Sequence, residues 1–479
     1  MESFARIQSI VIENFKNIKR GQITFSEYGK GSEIYDKNIT AVYGQNGSGK
    51  TALINAISLI KHIVMGKSLP SDIENYIRKG IDRFKIDIQF YFKFKENISI
   101  INYSLTIGDK NDEVLILDEE IKIKEFADKQ WKHQISVIHY NFEGNHYTLL
   151  PKYLFSELNS TPEKALGLGI AQSLAVRVNP DTGIRKNHSL LFSQEFKTLL
   201  SDGYNSDRIV HLSRILNRIR NFCQNNLLII DDETLGGISE NQHAIPVFIK
   251  QETHTEKKVQ MVIGAIPIEI YQQTKIPTRL FKVYENFVNQ MNMVLPTIIP
   301  GITLRMTGIE EEYLPDGSSQ TVFSMMTVRD GKEISLKYES AGVKKILCIL
   351  SSLIASFNKA DMCFVVDELD SGVFEYLIGQ IVTVFKEDAK GQLIFTSHNL
   401  HVLELLDNKS IYITRFNSDN CYGTLPNVQT NNNKRLLYLR YIELSDDEED
   451  IIYNKTNQYD ISFAFDEAYE LFEEGDLLS

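Results

Sequence analysis

The sequence predicts an α/β fold in which the two halves of one domain are separated by a large, mainly helical insertion. Three observations predict it. A buried strand at residues 38–43 runs into a glycine-rich loop and then a helix over 51–65. An apolar strand at 362–366 ends in paired carboxylates, and another strand, 392–396, ends near a histidine. Between these halves residues 153–300 have a different texture. With 479 residues, 43% of them hydrophobic, there is ample material for a sizeable core, which excludes a disordered chain. The counts of 27 Gly and 11 Pro exclude a collagen-like or linker-dominated one.

Taken in order, residues 7–15 alternate as a strand, with 21–25 as its hairpin partner. Ile86, Ile88, Phe90 and Phe92 open a meander of strands over 84–147. Helical spacing marks 207–223 and 279–295, and strand character returns over 301–336 around a Pro-Asp-Gly-Ser turn at 315–318. A helix over 342–357, the 362–366 strand, a helix over 373–388 and strands at 392–396 and 410–414 complete the pattern. The expected units are therefore 1–152, an insertion over 153–300, 301–415, and an acidic segment over 416–479.

The apolar stretch at 346–357 is short and broken by serines, and no basic and apolar leader opens the sequence, so neither membrane insertion nor secretion is expected. Cys223, Cys348, Cys363 and Cys421 are far apart in sequence and form no CxxC pair, which suits reduced thiols in a cytoplasmic protein. The net charge of −12 argues against wholesale coating of nucleic acid. Acidic blocks at 443–450 and 466–476 read either as a solvated surface or as a docking tail for a basic partner. On the 207–223 helix, His211, Arg214 and Arg218 share a face with Arg208 and Arg220 at its margins. That stripe is either solvated or in contact with the phosphates of a nucleic acid.

Gly44, Gln45, Asn46, Gly47, Ser48, Gly49, Lys50 and Thr51 fit GxxxxGK[ST]. Glycines let the backbone curl so that successive N–H groups point at phosphates, and the following helix adds its positive end. Lys50 is expected to reach the β- and γ-phosphates and the Thr51 hydroxyl to ligate Mg²⁺. Asp367 ends the 362–366 strand and suits water-mediated Mg²⁺ binding; Glu368 is placed to deprotonate an attacking water. His398 follows a strand expected beside that of Asp367, which aims it at the γ-phosphate. Ser340 and Gly342 open an apolar helix, where they read either as an ordinary N-cap or as an anion site.

This order of motifs resembles ABC-type ATPases of the SMC and RecF kind, as does the opening Ile10-Val11-Ile12-Glu13-Asn14-Phe15-Lys16. Glu339-Ser340-Ala341-Gly342 followed by Lys344-Lys345, Asp367-Glu368-Leu369-Asp370-Ser371-Gly372, and Thr396-Ser397-His398-Asn399 look still more like stand-alone OLD-like bacterial ATPases. That group includes the ATPase subunits of the anti-phage systems Septu, PARIS and the AbiL type. The resemblance covers 1–150 and 320–415. It implies an ABC-type P-loop ATPase head with a mixed β-sheet lobe, slow hydrolysis of ATP with Mg²⁺, and a homo-oligomer in which Ser340 and Gly342 grip ATP bound to a facing head. It further implies a sensor or scaffold of a defence complex that controls a separate nuclease or toxin. The alternative is a RecF- or SMC-like repair ATPase that binds DNA when it holds ATP.

Asp370 matches the second acid of the SMC-type run, whereas Phe374 stands where the family's D-loop carries Asp. The Q-loop glutamine that joins the metal site in this family matches Gln89, with Gln172 and Gln194 as competitors. Only about 80 residues follow His398, too few for the Toprim nuclease of related proteins, so any effector chemistry is expected on another chain.

Overall fold

The computed structural model describes residues 4–28, 34–36, 38–94, 97–110, 113–143, 146–178, 185–201, 206–231, 244–252, 259–270, 272–416, 419–425, 433–444 and 458–473. At its centre is a six-stranded sheet in the order β14 (Leu227–Ile230), β21 (Cys363–Val366), β22 (Gln392–Thr396), β5 (Ile39–Tyr43), β23 (Ile411–Thr414), β24 (Tyr422–Thr424). All neighbours are parallel except the antiparallel pair β23–β24. Parallel strands covered on both faces read as unbroken apolar runs, and Ile39–Tyr43 and Cys363–Val366 are buried throughout. Alternate side chains of β21 enter different cores: Cys363 and Val365 go to one side, Phe364 and Val366 to the other.

The first core lies beneath an eight-stranded antiparallel sheet. Its path is β11 (His146–Leu150), β10 (Ile135–Glu143), β8 (Val114–Ala127), β7 (Asn97–Asp109), β6 (Arg83–Phe94), β1 (Phe4–Phe15), β2 (Ile18–Thr24), with β9 (Gln130–Trp131) paired to β8. Ile10, Ile12, Ile86, Ile88, Ile101 and Tyr103 meet Leu53, Ile57 and Ile60 of α1 (Lys50–Val64) there. Helices α2 (Lys152–Leu158), α3 (Pro162–Ala175), α4 (Gln194–Ser201) and α5 (Asp207–Asn225) complete this side. The loop before α4 is fastened by Glu119, a wholly buried carboxylate that accepts from Tyr103 Oη at 2.7 Å and Leu190 N at 2.9 Å. Burial raises its pKa, and these donors oppose the rise.

The second core packs α6 (Phe281–Ile298), α7 (Ala341–Asn358), α8 (Glu375–Asp388) and α9 (Leu400–Leu405) on the other face. A four-stranded sheet joins it, in the order β17 (Thr274–Pro277), β19 (Ser319–Arg329), β18 (Ile302–Tyr313), with β20 (Lys332–Ser335) on β19. Three two-stranded pairs complete the strands: β3 (Ser26–Tyr28) with β4 (Ile34–Asp36), β12 (Val176–Val178) with β13 (Arg185–Asn187), and β15 (Ala244–Glu252) with β16 (Val259–Pro267). Among the described residues α7 alone has the length and apolarity of a membrane span, and 67% of it is buried inside the protein, as suits a core helix. The last helices are α10 (Lys434–Leu444) and α11 (Gln458–Glu473).

Two expected boundaries need correction. The segment 153–300 is not one insertion, because α5 packs in the first core and β14 forms an edge of the central sheet beside β21. Nor does the head stop at 415: β24 continues the sheet, and Tyr438 of α10 sets its ring 6.3 Å from that of Tyr43. The β14–β21 pairing and the Tyr43–Tyr438 contact join residues far apart in sequence, which local periodicity does not reveal.

Candidate nucleotide site

The registers Val366↔Phe395 and Thr396↔Val42 align the carboxyl ends of β21, β22 and β5 at one edge of the sheet. Loops at such an edge are where α/β sheets bind ligands. Residues 44–49 form the loop between β5 and α1. Gly44, Gly47 and Gly49 have φ of +153°, +76° and +109°, a region that strongly favours glycine. A Cβ on Gly44 would stand 1.7 Å from Thr414 Oγ1. The loop is braced from behind: Tyr422 Oη donates to Gly49 O at 2.9 Å, Ser48 bonds the Thr414 hydroxyl, and the Asn17 amide donates to Gly47 O.

Lys50 folds over this loop, with Nζ donating to Gly44 O at 2.9 Å and Gln45 O at 3.0 Å. Burial lowers its pKa, while Asp367, Glu368 and Asp370 pull the other way. Those acids come from the turn after β21. Thr396 Oγ1 donates to Asp367 Oδ1 and accepts from Glu368 N at 2.7 Å, which fixes both residues to β22. Asp367 is wholly buried, and its Oδ2 has no protein partner among the described residues.

Glu368 has φ +45°, a left-handed conformation that costs a non-glycine residue about 1–2 kcal/mol. The buried Lys345 of α7 holds that backbone, donating from Nζ to Glu368 O at 2.7 Å and Asp367 O at 3.4 Å. Sequence reading did not find Lys345 or Thr396. Both lie within motifs quoted for the family, so position within those motifs was the available signal. His398 N donates to Asp370 Oδ2 at 3.2 Å. Burial lowers the pKa of its imidazole, and the Lys50 charge lowers it further against the three carboxylates.

The structure thus gathers Lys50, Thr51, Asp367, Glu368 and His398 at one sheet edge. Ser340 and Gly342 stand elsewhere. The exposed Ser340 caps α7, accepting from Val343 N at 3.3 Å, and the start of this helix packs against the turn that follows Asp370. A Cβ on Gly342 would lie 2.2 Å from Gly372 O, so that close backbone approach requires glycine. Phe374, just beyond, is 73% exposed.

Gln89 is not brought to this edge. It lies in mid-strand on β6 of the antiparallel lobe, where Ser9 Oγ donates to its Oε1 at 3.1 Å. Gln172 and Gln194 belong to α3 and α4. The segment leaving the sheet edge beside β21 is the one after β14, beginning at Asp231, to which Ser58 Oγ of α1 donates at 3.4 Å. The arginine stripe is also partly spent inside the protein. Arg208 lies 3.8 Å from Glu157 and over the Tyr153 ring, Arg218 donates to Ser99, and Arg220 donates to Phe192 O. Helical spacing put these arginines on one face, but it could not show that this face meets neighbouring elements.

A mostly parallel sheet with this loop, paired acids on β21 and a histidine after β22, backed by an antiparallel lobe, has the arrangement of a P-loop nucleotide-binding domain. The chain belongs to the family described as "AAA domain, putative AbiEii toxin, Type IV TA system", whose model matches residues 39–404. A DNA double-strand break repair Rad50 ATPase of Methanococcus maripaludis is 31% identical over 84 residues, 18% of this chain and 7% of that protein. The match therefore spans a small part of that relative's length. Among solved structures, an Smc head bound to the C-winged helix domain of ScpA is 14% identical, with a TM-score of 0.39 over 87% of this chain and 97% of that one. The SMC head domain from Thermotoga maritima is 14% identical, with a TM-score of 0.35 over 88% and 100%. The recombination mediator protein RecF with ATP is 15% identical, with a TM-score of 0.33 over 82% and 93%.

Proposed function

We propose that this chain binds and hydrolyses ATP, closes on a second copy of itself across the nucleotide, and uses that cycle to control a separate nuclease or toxin in a cytoplasmic anti-phage defence complex. The observation that carries the ATPase reading is the convergence of Lys50, Asp367, Glu368 and His398 at the sheet edge. The defence reading is supported by the motif resemblance and by the toxin and toxin–antitoxin terms in the family's description.

In this reading ATP lies along residues 44–51, and Lys50 exchanges the carbonyls of Gly44 and Gln45 for phosphate oxygens. The unpartnered Asp367 Oδ2 and the Thr51 hydroxyl are hard oxygen donors that suit Mg²⁺. Bound there, the ion neutralises charge on the β- and γ-phosphates. Glu368 accepts the proton of the attacking water, and its fixed backbone keeps that carboxylate aimed. His398 contributes as a neutral imidazole near the transferring phosphoryl group.

The imidazole titrates below its ordinary value of 6.5 in the folded chain. The folded state therefore binds fewer protons than the unfolded one in the window below 6.5, and this site's contribution to stability is lost as pH falls through it. Hydrolysis is expected to be flat with respect to His398 from pH 7 to 8 and to fall on acidification. His398→Gln should remove that component of the acid limb and lower the rate at pH 7.5 by about 100-fold; steady-state rates across pH check it.

Self-association is supported by the exposed Ser340 cap and by Tyr338 and Phe374, large apolar side chains exposed near it. The test is the solution mass by light scattering, with ATP and Mg²⁺ against ADP. The mass should rise with ATP, and Ser340→Glu, which sets a carboxylate against the facing γ-phosphate, should abolish the rise. A mass indifferent to both nucleotide and substitution would remove the facing-head model.

A further inference from the structure

The nucleotide site makes no use of the acidic segment. Residues 443–479 hold thirteen carboxylates and one basic residue, Lys455, a net charge of −12. The whole chain also sums to −12, so residues 1–442 are neutral and this segment carries the entire imbalance. Within it lies α11, whose Asp460, Asp466, Glu467, Glu470 and Glu473 are accompanied by no Lys or Arg. Along the same helix Ile461, Phe465 and Ala468 recur at i, i+4 and i+7, one apolar stripe. Residues 458–469 are exposed throughout, Phe465 by 72% and Phe463 by 64%. Large side chains clustered in water mark an interaction surface.

We propose that α11 is a docking helix that seats its Ile461–Phe465 stripe in an apolar groove rimmed by Lys and Arg on a protein partner. Charge complementarity selects this occupant. Nucleic acid and an anionic membrane surface repel a helix of this composition, and so does a second copy of α11. The neutral body of the chain offers it no net attraction. The inference rests on composition and exposure and does not depend on the ATPase reading.

The test places p-benzoylphenylalanine at position 465 of the full chain, irradiates the source cells and maps the cross-linked peptides by mass spectrometry. The expected result is cross-linking to one protein, at an apolar surface flanked by Lys or Arg. With that protein purified, Asp466→Lys with Glu467→Lys should weaken binding at least about tenfold, and so should raising salt to about 0.5 M. ATP turnover and helix content should be unchanged. Cross-links to residues 1–442 of the same chain, to a second copy, to lipid or to nucleic acid would overturn the proposal. So would no cross-link above an unirradiated control, or binding indifferent to the charge reversal.

Discussion

Glu368→Gln is expected to bind ATP with near-normal affinity and to hydrolyse it about 10²–10⁴ times more slowly, the range lost when a positioned general base is removed. The substitution is close to isosteric. Thr396 Oγ1 reaches the Glu368 backbone N–H and Lys345 its carbonyl, so both contacts remain when the carboxylate becomes an amide. What disappears is the carboxylate proposed to take the proton from water. Phosphate release in a coupled assay, set beside a nucleotide-binding isotherm, checks both halves. Unimpaired turnover would move the base to another residue, and lost binding would mean that the side chain also shapes the pocket.

Lys50→Ala should weaken ATP binding by at least about 100-fold, roughly 2.7 kcal/mol, because a charge-assisted contact to phosphate is lost in a partly desolvated site. The fold should tolerate the change better than binding does. The carbonyls of Gly44 and Gln45 lose a donor, but the loop keeps its braces from Tyr422, Thr414 and Asn17. Titration calorimetry with ATP and Mg²⁺ reads the affinity, and thermal unfolding separates it from a folding defect. Normal affinity would remove the assignment of residues 44–51 to phosphate.

The two predictions share a physical basis. Lys50 sits among carboxylates that pull its pKa upward against burial, and the acids are rigidly held by β22 and α7. Preorganised charge of this kind spares reorganisation when phosphoryl charge develops. Lys345 also ties the helix capped by Ser340 to the backbone of Glu368. A contact at the head of α7 thus has a short route to the acid, along the helix from Ser340 to Lys345 and through the Lys345 hydrogen bond to Glu368 O.

The parts of the site legible in the sequence are those whose chemistry is contiguous. Residues 44–51 announce themselves because strand, glycines, lysine and helix follow one another, and an apolar run ending in Asp367-Glu368 reads as a buried strand with acids at its tip. The central sheet was half legible: β5, β21, β22 and β23 are short, mostly apolar runs. Its edges were not: β14 is a four-residue strand recruited by pairing with the distant β21, and β24 is a three-residue strand that pairs with its neighbour β23. Tyr422 bonds Gly49 across 373 residues, and nothing local marks that tyrosine as a support for the phosphate loop. Gln89 failed for a related reason. Period-two alternation places it on a strand but does not say which sheet the strand joins, and β6 belongs to the antiparallel lobe.

The central claim, that this edge holds ATP between two copies of the chain, is tested most directly by gel filtration of Glu368→Gln after incubation with ATP and Mg²⁺, with retained nucleotide quantified per chain. The account predicts a dimer or a higher even assembly that carries about one unhydrolysed ATP per chain, the stoichiometry of a facing-head sandwich. Monomers without nucleotide, or an assembly of the same mass that retains none, would contradict it.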